Sequence, residues 1–226
     1  MTNRDPLREP GEKFSFARLL SLGIDLLYPP RCAGCGRVGT AWCERCQNDL
    51  NQAAVDLKRV RLSPDFIIAA TGIHEGKLQQ AVHALKYARA LDLAAPLGDR
   101  LIYALSALNW TIDTIIPVPL HTARQQARGY NQSQQLGAYM AQVLSISCDP
   151  SALLRWRDTP PQVGLNREQR QVNVRGAFRA TTTLHGTVLL VDDVFTTGAT
   201  LQDCARAAYE AGARQVYGLT VTAARS

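Results

Sequence analysis

The chain has 226 residues, 46% of them hydrophobic and 19% charged, with a formal net charge of +6 at pH 7. That balance excludes a disordered chain and supports a full core, with a length that suits one domain plus a smaller module. No run reads as a membrane span: Phe14 to Tyr28 is apolar but short and interrupted by Arg18 and Asp25, so a cytoplasmic protein with no membrane partner is expected.

Residues 1–13 are polar, with two prolines and mixed charge, and read as a loose tail. Phe16, Leu19, Leu20, Gly23, Ile24 and Leu27 then share one side of an amphipathic helix that would dock on a core. Next come two CxxC knuckles seven residues apart, Cys32-Ala-Gly-Cys35 and Cys43-Glu-Arg-Cys46. Each offers two thiolates to one tetrahedral metal, and Gly34 and Gly36 permit the turns that aim backbone N–H groups at sulfur. Zinc is the default because it is tetrahedral and redox-inert; iron in a rubredoxin-like site is the competitor. A module this small cannot fold on its own apolar burial, so the metal would supply its stability. Cys148 and Cys204 stand alone and read as small apolar residues. The expected domain division is a tail over 1–13, a helix and four-cysteine module over 14–58, and an α/β domain over 59–226.

The α/β domain reads as a doubly wound, mostly parallel sheet. Asp65 to Ile73 is a predicted strand. Lys77 to Leu108 carries one or two helices interrupted around Ala90 to Pro96, and Asp113 to Val118 is a second buried strand. Pro117-Val118-Pro119 ends that strand rigidly. Arg124, Arg128 and the turn Gly129-Tyr130-Asn131-Gln132 follow, before a helix running to about Ile146. Thr159 to Arg175 is a long polar segment of the kind that forms a lid or binding loop. Between Leu120 and Ala180 there are eight arginines, three acidic residues and no lysine. Arginine's planar fork binds phosphate oxygens two at a time, so this bias suits a phosphate-bearing ligand; a solvated basic face is the plainer alternative.

Val188-Leu189-Leu190-Val191 is the core of a strand buried on both faces, and Asp192 and Asp193 stand where it should end, at a solvent-facing edge. Thr196-Thr197-Gly198-Ala199-Thr200 follows and opens a helix with apolar positions at Leu201, Ala205, Ala208 and Ala211, capped by Gly212. Backbone N–H groups at such a helix start favour phosphate, and the threonine hydroxyls can add hydrogen bonds. Adjacent carboxylates repel phosphate and suit sugar hydroxyls or a hydrated divalent cation. A last strand is expected over Gln215 to Val221. A ligand with a phosphate beside a diol is a ribose 5-phosphate, and the acid–threonine loop resembles the 5-phosphoribosyl diphosphate (PRPP) signature of type I phosphoribosyltransferases.

The four-cysteine module, Leu85-Lys86-Tyr87, Pro117-Val118-Pro119-Leu120, Arg128-Gly129-Tyr130-Asn131-Gln132, Gln162 with Arg170 and Asn173, and Val191 to Thr200 come in the order seen in the ComF family. Over about residues 22 to 223 the chain resembles these competence protein F and GntX-like proteins, which are phosphoribosyltransferase-like and linked to DNA uptake or utilisation. The resemblance implies that Asp192 and Asp193 face ribose hydroxyls and that Thr196, Thr197, Gly198, Ala199 and Thr200 hold the 5-phosphate. It puts the diphosphate at the turn after the second strand, with Val118, Pro119, Arg124 and Arg128. It makes Arg170 and Arg175 parts of a mobile lid, with Arg170 grouped with the two acids as catalytic. Magnesium would accompany PRPP. Single-stranded DNA is the alternative partner, in an adapter without catalysis, and a homodimer is compatible with the pattern.

Overall fold

The computed structural model describes residues 29–157 and 174–225. The expected tail, the helix over 14–27, and Gln162, Arg167, Arg170 and Asn173 fall outside the described residues.

Among the described residues, six strands form one sheet in the order β1-β2-β8-β7-β3-β4, comprising β1 (Lys58–Ser63), β2 (Phe66–Ala70), β3 (Thr114–Pro117), β4 (Ser147–Cys148), β7 (Thr187–Phe195) and β8 (Gln215–Ala223). Only β1 and β2 run antiparallel; the other neighbours are parallel. The four aliphatics of β7 are buried because both of its faces are covered. Val188 and Leu190 pack with helix α6 (Ala199–Glu210), through Leu201, Ala205 and Ala208. Leu189 and Val191 pack on the other face with α2 (Gly76–Tyr87), α3 (Ala94–Leu108) and α5 (Gln132–Leu144). Alternate side chains thus feed two cores, the doubly wound layering that the sequence implied.

The break between α2 and α3 spans residues 88–93 and contains a short 3-10 turn, Leu91–Leu93. It ends before Pro96, which sits in the first turn of α3, where its missing N–H leaves no bond unmade. Besides the edge strands β1 and β4, which the sequence did not announce, further elements depart from the expected layout. Helix α4 (Thr122–Arg128) fills the stretch after β3, and a separate two-stranded ribbon pairs β5 (Leu153–Arg155) with β6 (Phe178–Ala180). The ribbon is pinned to α6 by Asp203, which accepts from the backbone N–H groups of Gly176 and Phe178 at 2.8 and 3.0 Å.

The cysteine module is fastened to the sheet domain. Its helix α1 (Glu44–Gln52) buries Leu50 in the same core as α2 and α3. Arg100 of α3, only 8% exposed, donates to the carbonyls of Ala53 and Ala54 at 2.6 and 2.9 Å and so ties down the connecting chain.

Candidate functional site

The paired acids lie within β7, which runs on to Phe195 instead of ending before them as expected, and they divide between two environments because successive strand residues point to opposite faces. Asp192 shares the side of α6 and lines a small cavity of about 20 Å³ together with Thr196 to Leu201. Its Oδ1 accepts from Ser133 Oγ at 2.8 Å and from the Asp193 backbone N–H at 2.9 Å. Burial, then the adjacent Asp193 carboxylate, pushes the Asp192 carboxyl up to about 7, while Lys86 and the Ser133 hydrogen bond act the other way. Asp193 is not at a solvent-facing edge as expected. It is 3% exposed, and its Oδ2 lies 2.8 Å from Lys86 Nζ, at the end of α2. A buried carboxylate must be paired to stay charged, and Lys86 supplies the pair.

The loop after the acids has the geometry of an anion cradle. Gly198 adopts a φ of +81°, and a Cβ there would meet Leu62 Cδ1 at 2.4 Å and Phe195 Cε2 at 2.8 Å, so the position requires glycine. Gly198 caps α6, its carbonyl accepting from Gln202 N–H at 2.8 Å. Thr197 Oγ1 accepts from Ala199 N–H at 3.4 Å. Among the described residues no protein acceptor meets the N–H groups of Thr197, Gly198 and Thr200, the unpaired donors expected at a helix start. Thr196, Thr197, Gly198, Ala199 and Thr200 therefore surround one cavity with Asp192.

At the end of β3, Val118 and Pro119 are buried. The Val118 N–H donates to Val191 and its carbonyl accepts from Asn131 Nδ2 at 3.0 Å, so both polar backbone groups are engaged in holding the strand end. Asn131 in turn caps α5, presenting Ser133 to Asp192. Arg124 and Arg128, on α4, line a second cavity of about 360 Å³ with Lys86, Arg89 and the rings of Tyr87 and Tyr130. Arg128 donates to Gln132 and lies 5.1 Å from the centre of the Tyr87 ring; Tyr130 donates to the Leu85 carbonyl. Lys86 belongs both to this cationic cavity and to the acid pair. Arg175 is separate from it, exposed beside α6 at the foot of the β5–β6 ribbon. Sequence reasoning gave no role to Lys86, Arg89 or Ser133. The available signal was Lys86 in the Leu85-Lys86-Tyr87 motif, but its acid partner is 107 positions away.

The four cysteines converge. The sulfurs of Cys32, Cys35, Cys43 and Cys46 all lie within 4.8 Å of one another, with Cys35 and Cys43 at 3.5 Å, a spread that suits one tetrahedral ion. Their electrostatics fit a cation. Burial opposes ionisation of Cys32, yet hydrogen bonds from the backbone of Cys43, Gly34 and Cys35 bring its thiol down to about 6. Burial and the three neighbouring sulfurs push Cys46 up to about 12, against the pull of Lys77. Four thiolates in one cluster, three of them on buried cysteines, need a positive centre. Lys77 of α2 adds a second tie between the module and the sheet domain, 3.4 Å from Cys46 Sγ and from Asp49 Oδ2.

With this geometry in place, similarity to other proteins becomes specific. Residues 23–56 match the family described as a double zinc ribbon domain; that segment of the chain carries four cysteines, enough for one tetrahedral site. Competence protein F of Haemophilus influenzae is 29% identical over 201 residues, covering 84% of each chain. Over most of its length the chain is similar to competence protein F. DNA utilization protein YhgH of Salmonella typhi is 28% identical over 193 residues, 82% of this chain and 85% of the relative. The YhgH of Escherichia coli K12 is 32% identical over 145 residues, where the match spans 64% of the relative's length. Among solved structures, adenine phosphoribosyltransferase from Leishmania tarentolae aligns over 74% of this chain and 94% of its own, with a TM-score of 0.41 and 10% identity. Among the described residues no helix is long and apolar enough to cross a membrane.

Proposed function

We propose that the chain binds PRPP and transfers its phosphoribosyl group with release of diphosphate. The observation that carries this reading is the single cavity shared by Asp192 and the Thr196–Thr200 loop, beside a separate cationic cavity that reaches the acid pair through Lys86. The loop N–H groups would take the 5-phosphate, the acids the ribose hydroxyls, and Lys86, Arg124 and Arg128 the diphosphate. In transfer, the bond from C1 to the diphosphate oxygen breaks and its electron pair leaves with the diphosphate. The acceptor's lone pair forms the new bond to C1, and the acceptor's proton goes to solvent. Cations fixed beside the leaving group stabilise the charge that grows on it, so no side chain need act as nucleophile. Magnesium, when bound, would neutralise diphosphate oxygens. Asp192 is the carboxylate of the pair left without a lysine partner, so it is the residue to which a hydrated cation would turn. Arg170 and Arg175 are assigned to closure over the ligand.

The four-cysteine cluster is assigned to structural zinc, since four sulfurs complete a tetrahedral ligand set and leave no position for a substrate. Cys148 and Cys204, outside the cluster, are not joined in a disulfide, which suits a reducing compartment, and we place the protein in the cytoplasm.

A second reading, a single-stranded-DNA adapter regulated by PRPP or a nucleotide, is favoured by the names of the relatives and by one observation. Trp156 is exposed, with Arg179 Cζ only 3.5 Å from its ring centre, a platform of the type on which bases stack. One assay separates the two: diphosphate release from PRPP and magnesium, screened against a panel of bases with and without single-stranded DNA. Release that depends on a base supports the transferase. Absence of release with retained DNA binding supports the adapter.

A further inference from the structure

The cavity of about 360 Å³ contains Lys86, Arg89, Arg124 and Arg128, and none of its lining residues is acidic. Three of these cations have identifiable work within the protein. Lys86 neutralises Asp193, and Arg128 is engaged with Gln132 and the Tyr87 ring. Arg124 has a partner of its own. Arg89 differs: no hydrogen-bond or carboxylate partner among the described residues meets its guanidinium. It reaches across to the turn after α4, where a Cβ added to Gly129 would lie 3.4 Å from Arg89 Nη2.

The backbone of Arg89 supplies an independent observation. The residue follows the C-cap of α2 and adopts a φ of +51°, in the left-handed region. Helix ends commonly place glycine or asparagine there, because a Cβ crowds the following carbonyl. Elsewhere among the described helix ends the same conformation falls to Gly129 after α4, Gly212 after α6, Asn109 after α3 and Ser145 after α5, so Arg89 is the one long charged side chain placed there. An arginine at such a position, with its side chain in a cavity whose charged residues are all cationic, keeps a backbone cost that a glycine would remove. Strain of this kind persists where the side chain is needed.

We propose that Arg89 is an anion-binding residue, placed for its guanidinium, and that it takes a diphosphate group in the cationic cavity. This rests on the PRPP reading and adds to it a ligand residue that lies outside the acid–threonine loop and the arginine-rich segment. Diphosphate chemistry has two sources here, the leaving group of PRPP and free inorganic diphosphate as product. Planar guanidinium pairing suits both.

The test uses the full chain with Arg89→Gly and Arg89→Lys. Melting temperature is measured, together with affinities for inorganic diphosphate, PRPP with magnesium, ribose 5-phosphate and an oligothymidylate. Arg89→Gly is expected to melt no lower than the wild type, and up to about 2–4 °C higher through relief of the left-handed strain. It should bind diphosphate and PRPP about tenfold or more weakly, with ribose 5-phosphate changed less than threefold. Arg89→Lys should recover most of the lost affinity. Unchanged diphosphate affinity in Arg89→Gly overturns the inference. So does an equal loss for all ligands with a lower melting temperature, which marks a purely structural role, or a loss confined to the oligothymidylate. If the wild type binds PRPP and Arg89→Gly binds it equally, this inference alone fails. If the wild type binds neither PRPP nor diphosphate, the functional reading fails with it.

Discussion

Asp192→Asn should stabilise the protein while weakening it as a receptor, and the stability gain should depend on pH in a fixed direction. The Asp192 carboxyl is pushed by burial and by Asp193 from 3.8 to about 7. Between those values the folded chain holds a proton that the unfolded chain releases, so wild-type stability falls as pH rises from about 4 to about 7 and then levels off. The full interval corresponds to roughly 4 kcal/mol. Asp192 retains some solvent contact, and about 1–2 kcal/mol is the expected gain from removing its charge. Asparagine keeps the shape and can still accept from Ser133, so no buried donor is orphaned. In a chain of this size the gain amounts to a melting temperature about 2–8 °C above wild type at pH 8, with little difference at pH 4. Thermal denaturation of both proteins across that range is the assay. A difference that is flat with pH, or that shrinks as pH rises, would refute the reasoning, because it would mean the charged form of Asp192 is the one the fold prefers.

Replacing any of Cys32, Cys35, Cys43 or Cys46 with serine should lose one metal per chain, measured by elemental analysis. It should also lower the melting temperature of the whole protein, since Leu50, Arg100 and Lys77 join the module to the sheet domain; a metal content indifferent to the substitutions would remove the claim. Gly198→Ala should cost about 1–2 kcal/mol, because alanine must adopt a φ of +81° against Leu62 and Phe195. Chemical denaturation measures this, and no loss of stability would mean the loop is not built as described. Affinity for single-stranded DNA, if it runs through the arginines between Leu120 and Ala180, should fall steeply with salt and be displaced by PRPP. Simultaneous binding of both ligands would place the DNA elsewhere.

The parts of the fold that could be read from sequence are those with one dominant physical cause. Strands β2, β3, β7 and β8 are aliphatic because they are covered on both faces, and the loop after Phe195 announces itself by its hydroxyls and one glycine. Strand β1 escaped notice because Lys58, Arg59 and Arg61 make it a charged edge strand, which guards against pairing with other chains and leaves little apolar pattern. Helix α4 buries no side chain, so its seven residues show no period to detect. The ribbon of β5 and β6 has three residues per strand and is held by Asp203, a contact between distant positions. In the site, residue types were legible and pairings were not. Two adjacent acids could be recognised, but their separation to opposite faces, with Asp193 buried on Lys86, depends on how α2 packs against β7.

The central claim is tested most directly by calorimetric titration of PRPP with magnesium into the wild-type chain and into Asp192→Asn. The account predicts binding by the wild type and an affinity at least tenfold lower in the variant, with its fold intact by the thermal measurement above. Wild-type protein that does not bind PRPP, or a variant that binds it as tightly, would contradict the assignment of the acid pair to ribose.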